Sequence, residues 1–192
     1  MKIGILSLQG AFIEHIQILD KLGVKAIQVR KPIELEGLDG LIIPGGESTT
    51  MINLANNYDL IEPLRSLFLR GFPVMGTCAG MILLAKTVSN CDIKTLGVMD
   101  IKVKRNAFGR QPDSFETDLD IKALGDKPFH AVFIRSPLIE EAVLNVEVLS
   151  RLADGTIVAV RQDNMLGVSF HPELTDDTRV HEYFLKMVSE SI

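Results

Sequence analysis

Short apolar runs that stop at a glycine and give way to apolar residues at helical spacing recur through the first half of the chain. This alternation is what most restricts the folds open to it. Lys2-Ile3-Gly4-Ile5-Leu6-Ser7-Leu8 reads as a buried strand and Gln9-Gly10 as the turn after it. Phe12, Ile13, Ile16 and Leu19 follow helical spacing, and Gly23 closes that helix. Residues 25–29 form a second strand and Gly40-Leu41-Ile42-Ile43 a third. Pro44-Gly45-Gly46 breaks the third strand, and Ser48 or Thr49 is placed to cap a helix beginning near Met51. A helix over residues 61–69 precedes the strand that ends at Cys78. Such alternation implies an α/β fold, a mostly parallel sheet with helices on both faces. Ligands in such sheets bind beyond the carboxyl ends of the strands. The turns at Gly10, Gly46, Cys78 and His171 all follow strands, so one rim can hold all four.

The middle of the chain changes character. Between residues 97 and 160 the strand signals shorten, with turns at 106–112, at 125–128 and at Asp154-Gly155. These read as antiparallel strands added to the same domain, which spans residues 1–192 without a Ser- or Gly-rich linker. A last helix over roughly 176–188 carries Val180, Tyr183, Phe184 and Met187 on one face as core packing. The 192 residues, 46% of them hydrophobic, suffice for one well-buried core. A net charge of −5 without a basic tract argues against nucleic acid, and no apolar run approaches the ~20 residues that span a bilayer. Two cysteines argue against a disulfide scaffold and make a reducing cytoplasm the default. Cys91 reads as a small buried hydrophobe.

Cys78 reads differently. In Phe72-Pro73-Val74-Met75-Gly76-Thr77-Cys78-Ala79-Gly80-Met81 it sits where a strand turns sharply into a helix. Such an elbow projects a side chain out of the sheet, and the start of a helix favours negative charge. Gly76, Ala79 and Gly80 leave room for a substrate carbonyl. A thiol becomes a useful nucleophile when a histidine stabilises its thiolate. Val168-Ser169-Phe170-His171-Pro172-Glu173 supplies that imidazole and, two residues on, a carboxylate to orient it. His15, on the first helix, His181, on the last, and His130 read as core or surface residues. Gly45-Gly46-Glu47-Ser48-Thr49-Thr50 presents backbone N–H groups between a strand and a helix. It lacks the lysine of a phosphate-binding loop. The alternative is an oxyanion hole in which Gly46 N–H and Ala79 N–H converge on the carbonyl attacked by Cys78.

Three blocks together carry a resemblance: the elbow at residues 76–80, the loop at 44–50 and Phe170-His171-Pro172-Glu173-Leu174. The chain resembles the triad-type (class I) glutamine amidotransferases, and more narrowly the glutaminase subunits of pyridoxal 5'-phosphate synthase. The narrower likeness adds Leu8-Gln9-Gly10, the block Arg105-Asn106-Ala107-Phe108-Gly109-Arg110-Gln111, Asp113-Ser114-Phe115-Glu116 and Phe133-Ile134-Arg135-Ser136-Pro137. It runs over essentially the whole chain. The resemblance implies a flavodoxin-like fold with added antiparallel strands, and a triad of Cys78, His171 and Glu173. It also implies glutamine contacts from Gly46, Glu47, Ser48, Arg105, Ile134 and Arg135, with no metal or cofactor. The implied reaction is hydrolysis of L-glutamine, with ammonia passed to a separate synthase subunit whose docking orders the oxyanion loop. Two alternatives stay open at this point: the glutaminase of another synthase, such as that of the histidine pathway, and a catalytically silent binding module on the same fold.

Overall fold

The computed structural model describes residues 1–106 and 114–191. Strands β1 (Lys2–Leu6), β2 (Lys25–Val29), β3 (Gly40–Ile43) and β4 (Val74–Thr77) alternate with helices α1 (Phe12–Lys21), α2 (Ser48–Asn57) and α3 (Ile61–Leu69). Helix α4 (Ala79–Leu84) follows β4 directly and leads into β5 (Ala85–Val88). Then come β6 (Met99–Lys104), β7 (Ser114–Leu119), β8 (Phe129–Ile134), β9 (Leu138–Ala142), β10 (Glu147–Arg151), β11 (Ile157–Gln162) and β12 (Met165–Val168). Helix α5 (Arg179–Ser191) closes the chain. No helix among the described residues is long and apolar enough to cross a membrane.

The large sheet runs β2-β1-β3-β4-β12-β11-β9-β6-β5, with β10 paired to β11. From β2 to β12 every pairing is parallel. Strands β3, β4 and β12 are buried at every position, as strands covered on both faces must be. Successive side chains serve opposite faces. Leu41, Ile43 and Val74 pack with Met51, Leu64 and Met81 on one side, while Ile42 and Met75 pack with Leu19, Phe170 and Phe184 on the other. The antiparallel strands expected over 97–160 extend this sheet through β11, β9 and β6, and β7 and β8 form a separate two-stranded ribbon. One pairing corrects that expectation: β6 meets β5 in parallel.

Two helix starts also differ from the sequence reading. Helix α2 begins at Ser48, and its cap is Glu47, whose carboxylate accepts the N–H groups of Thr49 and Thr50 at 3.1 and 2.7 Å. A serine or threonine cap was expected; the longer acid takes two orphan amides at once. Helix α5 begins at Arg179, because the Asp177 carboxylate engages the Arg179 backbone and guanidinium and holds residues 176–178 outside the helix. The turn expected at 106–112 lies, beyond Asn106, outside the described residues.

Helix α4 sits hard against β3 through one glycine. A Cβ built at Gly80 would lie 1.9 Å from the Ile43 carbonyl oxygen, and that oxygen belongs to a buried strand. Gly80→Ala is therefore expected to destabilise the fold by about 3 kcal/mol, the upper range for overpacking a rigid core. Chemical denaturation checks it, and a loss below about 1 kcal/mol would mean that α4 has room to shift.

Candidate active site

The thiol is placed by a strained elbow. Cys78 has φ 49° and ψ −107°, a left-handed backbone that a non-glycine residue holds only when its surroundings enforce it. Its N–H donates to the Val168 carbonyl at 2.8 Å, and its carbonyl accepts from Ile82 N–H at 3.3 Å. The bond to Val168 also ties the elbow to β12. Since β12 lies parallel to β4 with Val168 opposite Thr77, the residues following each strand emerge at the same rim. His171 emerges there, its N–H held by the Val132 carbonyl of β8 at 2.8 Å.

The imidazole and the Cys78 side chain lie side by side against Gly45, and the ring's Nδ1 lies 2.7 Å from Oε1 of Glu173. All three side chains are buried. Gly45 makes room for them: a Cβ there would come 2.4 Å from His171 Cε1 and 3.3 Å from Cys78 Cβ. Burial opposes charge on His171, but the neighbouring Cys78 and the hydrogen-bonded Glu173 outweigh it and raise its pKa to about 10. Burial likewise opposes ionisation of Glu173, yet its histidine neighbours keep that carboxyl below the usual range. An imidazolium beside a thiol is the counter-ion that a cysteine nucleophile uses.

A pocket of about 320 Å³ opens beside the sulfur, at the small end of small-molecule sites. Gly46, Glu47 and Ser48 line it from the loop after β3, and Cys78 and Ala79 from the elbow. Arg105 reaches it from the end of β6, Ile134 and Arg135 from the end of β8, and His171 from the turn after β12. Every site residue expected from sequence thus borders the pocket except Glu173, which stands behind His171. Ile82 and Asn106 border it too and were not anticipated.

Arg105 spans the pocket mouth, its guanidinium 3.0 Å from Oε1 of Glu47 and 3.1 Å from Oγ1 of Thr49. It also approaches Cys91 Sγ at 3.6 Å, so Cys91 is a half-buried neighbour of the pocket rather than a fully buried hydrophobe. Partial burial opposes the Glu47 charge, but hydrogen bonds from Thr50 and Thr49 prevail and hold its carboxyl at about 2. The Ser48 hydroxyl is buried and has no partner among the described residues. The Gly45 carbonyl accepts from Ala11 N–H at 3.0 Å. A trans peptide directs its N–H opposite to its carbonyl, so the Gly46 N–H faces away from Ala11.

Sequence reasoning passed over two buried residues. His15 and His181 are both fully buried, as a core reading allows, but His15 Nε2 lies 3.5 Å from Oε2 of Glu173. His15 occupies a position in the apolar stripe of α1 between Phe12 and Ile16, and a lone polar residue in such a stripe was the available signal. His130 is a surface residue between Glu116 and Asp118.

A mostly parallel α/β sheet thus brings a thiol, an imidazole and a buried carboxylate together at one rim, a constellation of the kind cysteine-nucleophile hydrolases use. The SNO glutamine amidotransferase family matches residues 5–190, and the chain belongs to that family. It is 55% identical over 192 residues to the pyridoxal 5'-phosphate synthase subunit PdxT of Carboxydothermus hydrogenoformans, covering 100% of both chains. The subunit of the same name from Moorella thermoacetica is 57% identical over 188 residues, 98% of this chain and 100% of that one. A solved structure described as a glutamine amidotransferase superposes with a TM-score of 0.92 at 48% identity, covering 97% of this chain and 98% of that one.

Proposed function

We propose that this chain is a glutaminase that supplies ammonia to the synthase subunit of a pyridoxal 5'-phosphate synthase. The observation that carries the proposal is the continuous contact from Glu173 through His171 to Cys78 at the wall of an amino-acid-sized pocket. The Cys78 thiolate attacks the side-chain carboxamide carbon of glutamine, and the resulting oxyanion takes hydrogen bonds from Gly46 N–H and Ala79 N–H. His171 protonates the amide nitrogen, the C–N bond breaks and ammonia leaves, so that a γ-glutamyl thioester remains on Cys78. His171, now neutral, takes a proton from water, and the hydroxide displaces Cys78. Glutamine and water become glutamate and ammonia, and the thiolate–imidazolium pair is restored.

The rest of the pocket suits the zwitterionic end of glutamine. Arg105 and Arg135 offer guanidinium groups to the α-carboxylate, Glu47 offers a carboxylate to the α-amino group, and the Ser48 hydroxyl adds a buried polar contact. Ile134 packs on the aliphatic stem. Arg105→Ala is expected to raise KM for glutamine about 10- to 100-fold with a smaller change in kcat, since a hydrogen bond to a charged group is worth ~1.5–3 kcal/mol. Steady-state kinetics over a range of glutamine concentrations measures it. An unchanged KM would remove Arg105 from the substrate site.

The relatives above are named as subunits of pyridoxal 5'-phosphate synthase, which favours that synthase over the histidine-pathway alternative. Glu173 against His171, and His171 beside Cys78, disfavour a silent binding module. The test is reconstitution with a synthase subunit, ribose 5-phosphate and glyceraldehyde 3-phosphate, followed through the absorbance of pyridoxal 5'-phosphate. Glutamine should support product formation only when this chain is added, and ammonium should support it without the chain. If glutamine were used no better with the chain than without it, the assignment would fail.

A further inference from the structure

We propose that His15, set in one tautomer by His181, is a positioning residue that presents an N–H to the buried second oxygen of Glu173 and thereby keeps the triad carboxylate ionised and oriented. The proposal rests on the glutaminase reading of the Cys78 site. Its basis is a line of buried groups that the mechanism above does not use. Oε1 of Glu173 faces His171, whereas Oε2 is buried with no hydrogen-bond partner among the described residues, and the His15 ring is the polar group that approaches it. His15 Nε2 lies 3.5 Å from that oxygen and 3.3 Å from Oγ1 of Thr77, the residue before Cys78. Its other nitrogen, Nδ1, lies 2.8 Å from Nε2 of His181 on α5. His15, His181 and Thr77 are all 0% exposed.

Proton counting selects the tautomers. A neutral imidazole carries one N–H, and two ring nitrogens 2.8 Å apart must share one proton between them. Suppose that His15 donates from Nδ1. Its Nε2 lone pair then faces the Glu173 carboxylate, and His181, accepting at Nε2, must carry its proton on Nδ1. That Nδ1 is buried without a partner among the described residues, so a bare N–H would be added to a repulsive contact. In the opposite arrangement His181 Nε2–H donates to His15 Nδ1, and His15 Nε2–H points between Thr77 Oγ1 and Glu173 Oε2. The His181 lone pair is then the single unsatisfied site. The second arrangement is favoured on both counts.

Charge agrees with this assignment. The ionisable groups around His15 are His181 from α5, Glu173 and His171 from the turn after β12, and Glu14 beside it on α1. Burial and the His171 cation work against protonation of His15, Glu173 and Glu14 work for it, and burial prevails. His15 therefore acts on Glu173 as a neutral N–H donor and not as a second cation. A water molecule could not serve equally well, because a ring wedged between α5 and β4 holds its dipole fixed while the His171 charge appears and disappears.

Two measurements on the full chain test the proposal. Long-range ¹H–¹⁵N spectra of histidine-labelled protein at pH 7, with assignment by single substitutions, should show His15 and His181 both neutral and both protonated at Nε2. A His15 protonated at Nδ1, or a doubly protonated ring, overturns the proposal whatever the enzyme's activity. In glutaminase assays with the synthase subunit present, His15→Leu should lower kcat about 10- to 100-fold, the worth of a hydrogen bond to a charged group, with KM changed less than about twofold. The acid limb of kcat/KM should also move up by about one pH unit, because a buried carboxylate that loses a donor protonates more readily. His15→Gln, whose amide N–H can replace the ring N–H, should return the limb to its original position. A folded His15→Leu protein with an unmoved limb would mark His15 as packing only. Absence of glutaminase activity in the wild type would instead sink the function proposed for the Cys78 site, and the tautomer spectra would still stand.

Discussion

Cys78→Ala is expected to abolish glutamine hydrolysis, by at least about 10⁴-fold, while the protein stays folded and still binds glutamine. The loss is large because no other group on the pocket wall can form the thioester. The described residues lining it contribute amides, a hydroxyl, carboxylate and guanidinium groups and the His171 ring, and the sulfur is the one soft nucleophile among them. The fold should tolerate the change, since alanine keeps the Cβ and the elbow is held by backbone bonds to Val168 and Ile82 that do not involve the thiol. Glutamate release measured with the synthase subunit present reads the chemistry, and calorimetric titration with glutamine reads binding. Ammonium-supported pyridoxal 5'-phosphate formation by the reconstituted complex should be unaffected. Residual hydrolysis above about 1% of wild type would exclude a covalent route through Cys78, since general-base attack by water would then suffice.

What could be read in the sequence, and what could not, divides along physical lines. The strands at Lys25–Val29 and Gly40–Ile43 and the helix at Ile61–Leu69 fall where the sequence reading put them, because their signals are local. The rim was legible too: strand, glycine, then helix is a pattern that places a turn at a sheet edge without knowledge of strand order. Glu47 as the cap of α2 was missed because Ser48 is the better cap on propensity alone. In the structure Ser48 is the first residue of α2 and borders the pocket with its hydroxyl buried, and the longer acid reaches the amides instead. The parallel pairing of β5 with β6 was missed for a different reason. Pairing partners are set by long-range packing, and a short strand carries the same alternation in either direction. His15 and His181 were least accessible. Each is a lone histidine within a helix, and the contact that gives it meaning comes from a residue far away in sequence.

Glu173→Gln should separate the charge of the triad from its shape. The substitution keeps a side chain of nearly the same size in a site that is 5% exposed, and an amide oxygen can still accept from His171 Nδ1. What disappears is the negative charge. In the folded protein the His171 pKa is raised from 6.5 to about 10 against the cost of burial, with Cys78 and Glu173 as the raising groups. The sign follows directly. A raised histidine pKa means that the charged ring, and the stability it shares with its partners, is fully present below about pH 6.5 and is lost as pH rises through about 10. With the carboxylate gone, Cys78 alone opposes the burial cost, and the ring loses its proton at lower pH. The alkaline limb of kcat/KM, which belongs to the Cys78–His171 pair as a unit, should therefore move down by about two pH units. At neutral pH kcat should fall about 10²- to 10⁴-fold, the scale seen when the carboxylate of such a triad is made an amide. A pH–rate profile of the variant beside the wild type decides the matter. Were the limb to stay in place while kcat fell, Glu173 would be orienting the ring without supplying its charge, and the anion that raises His171 would have to be the Cys78 thiolate alone.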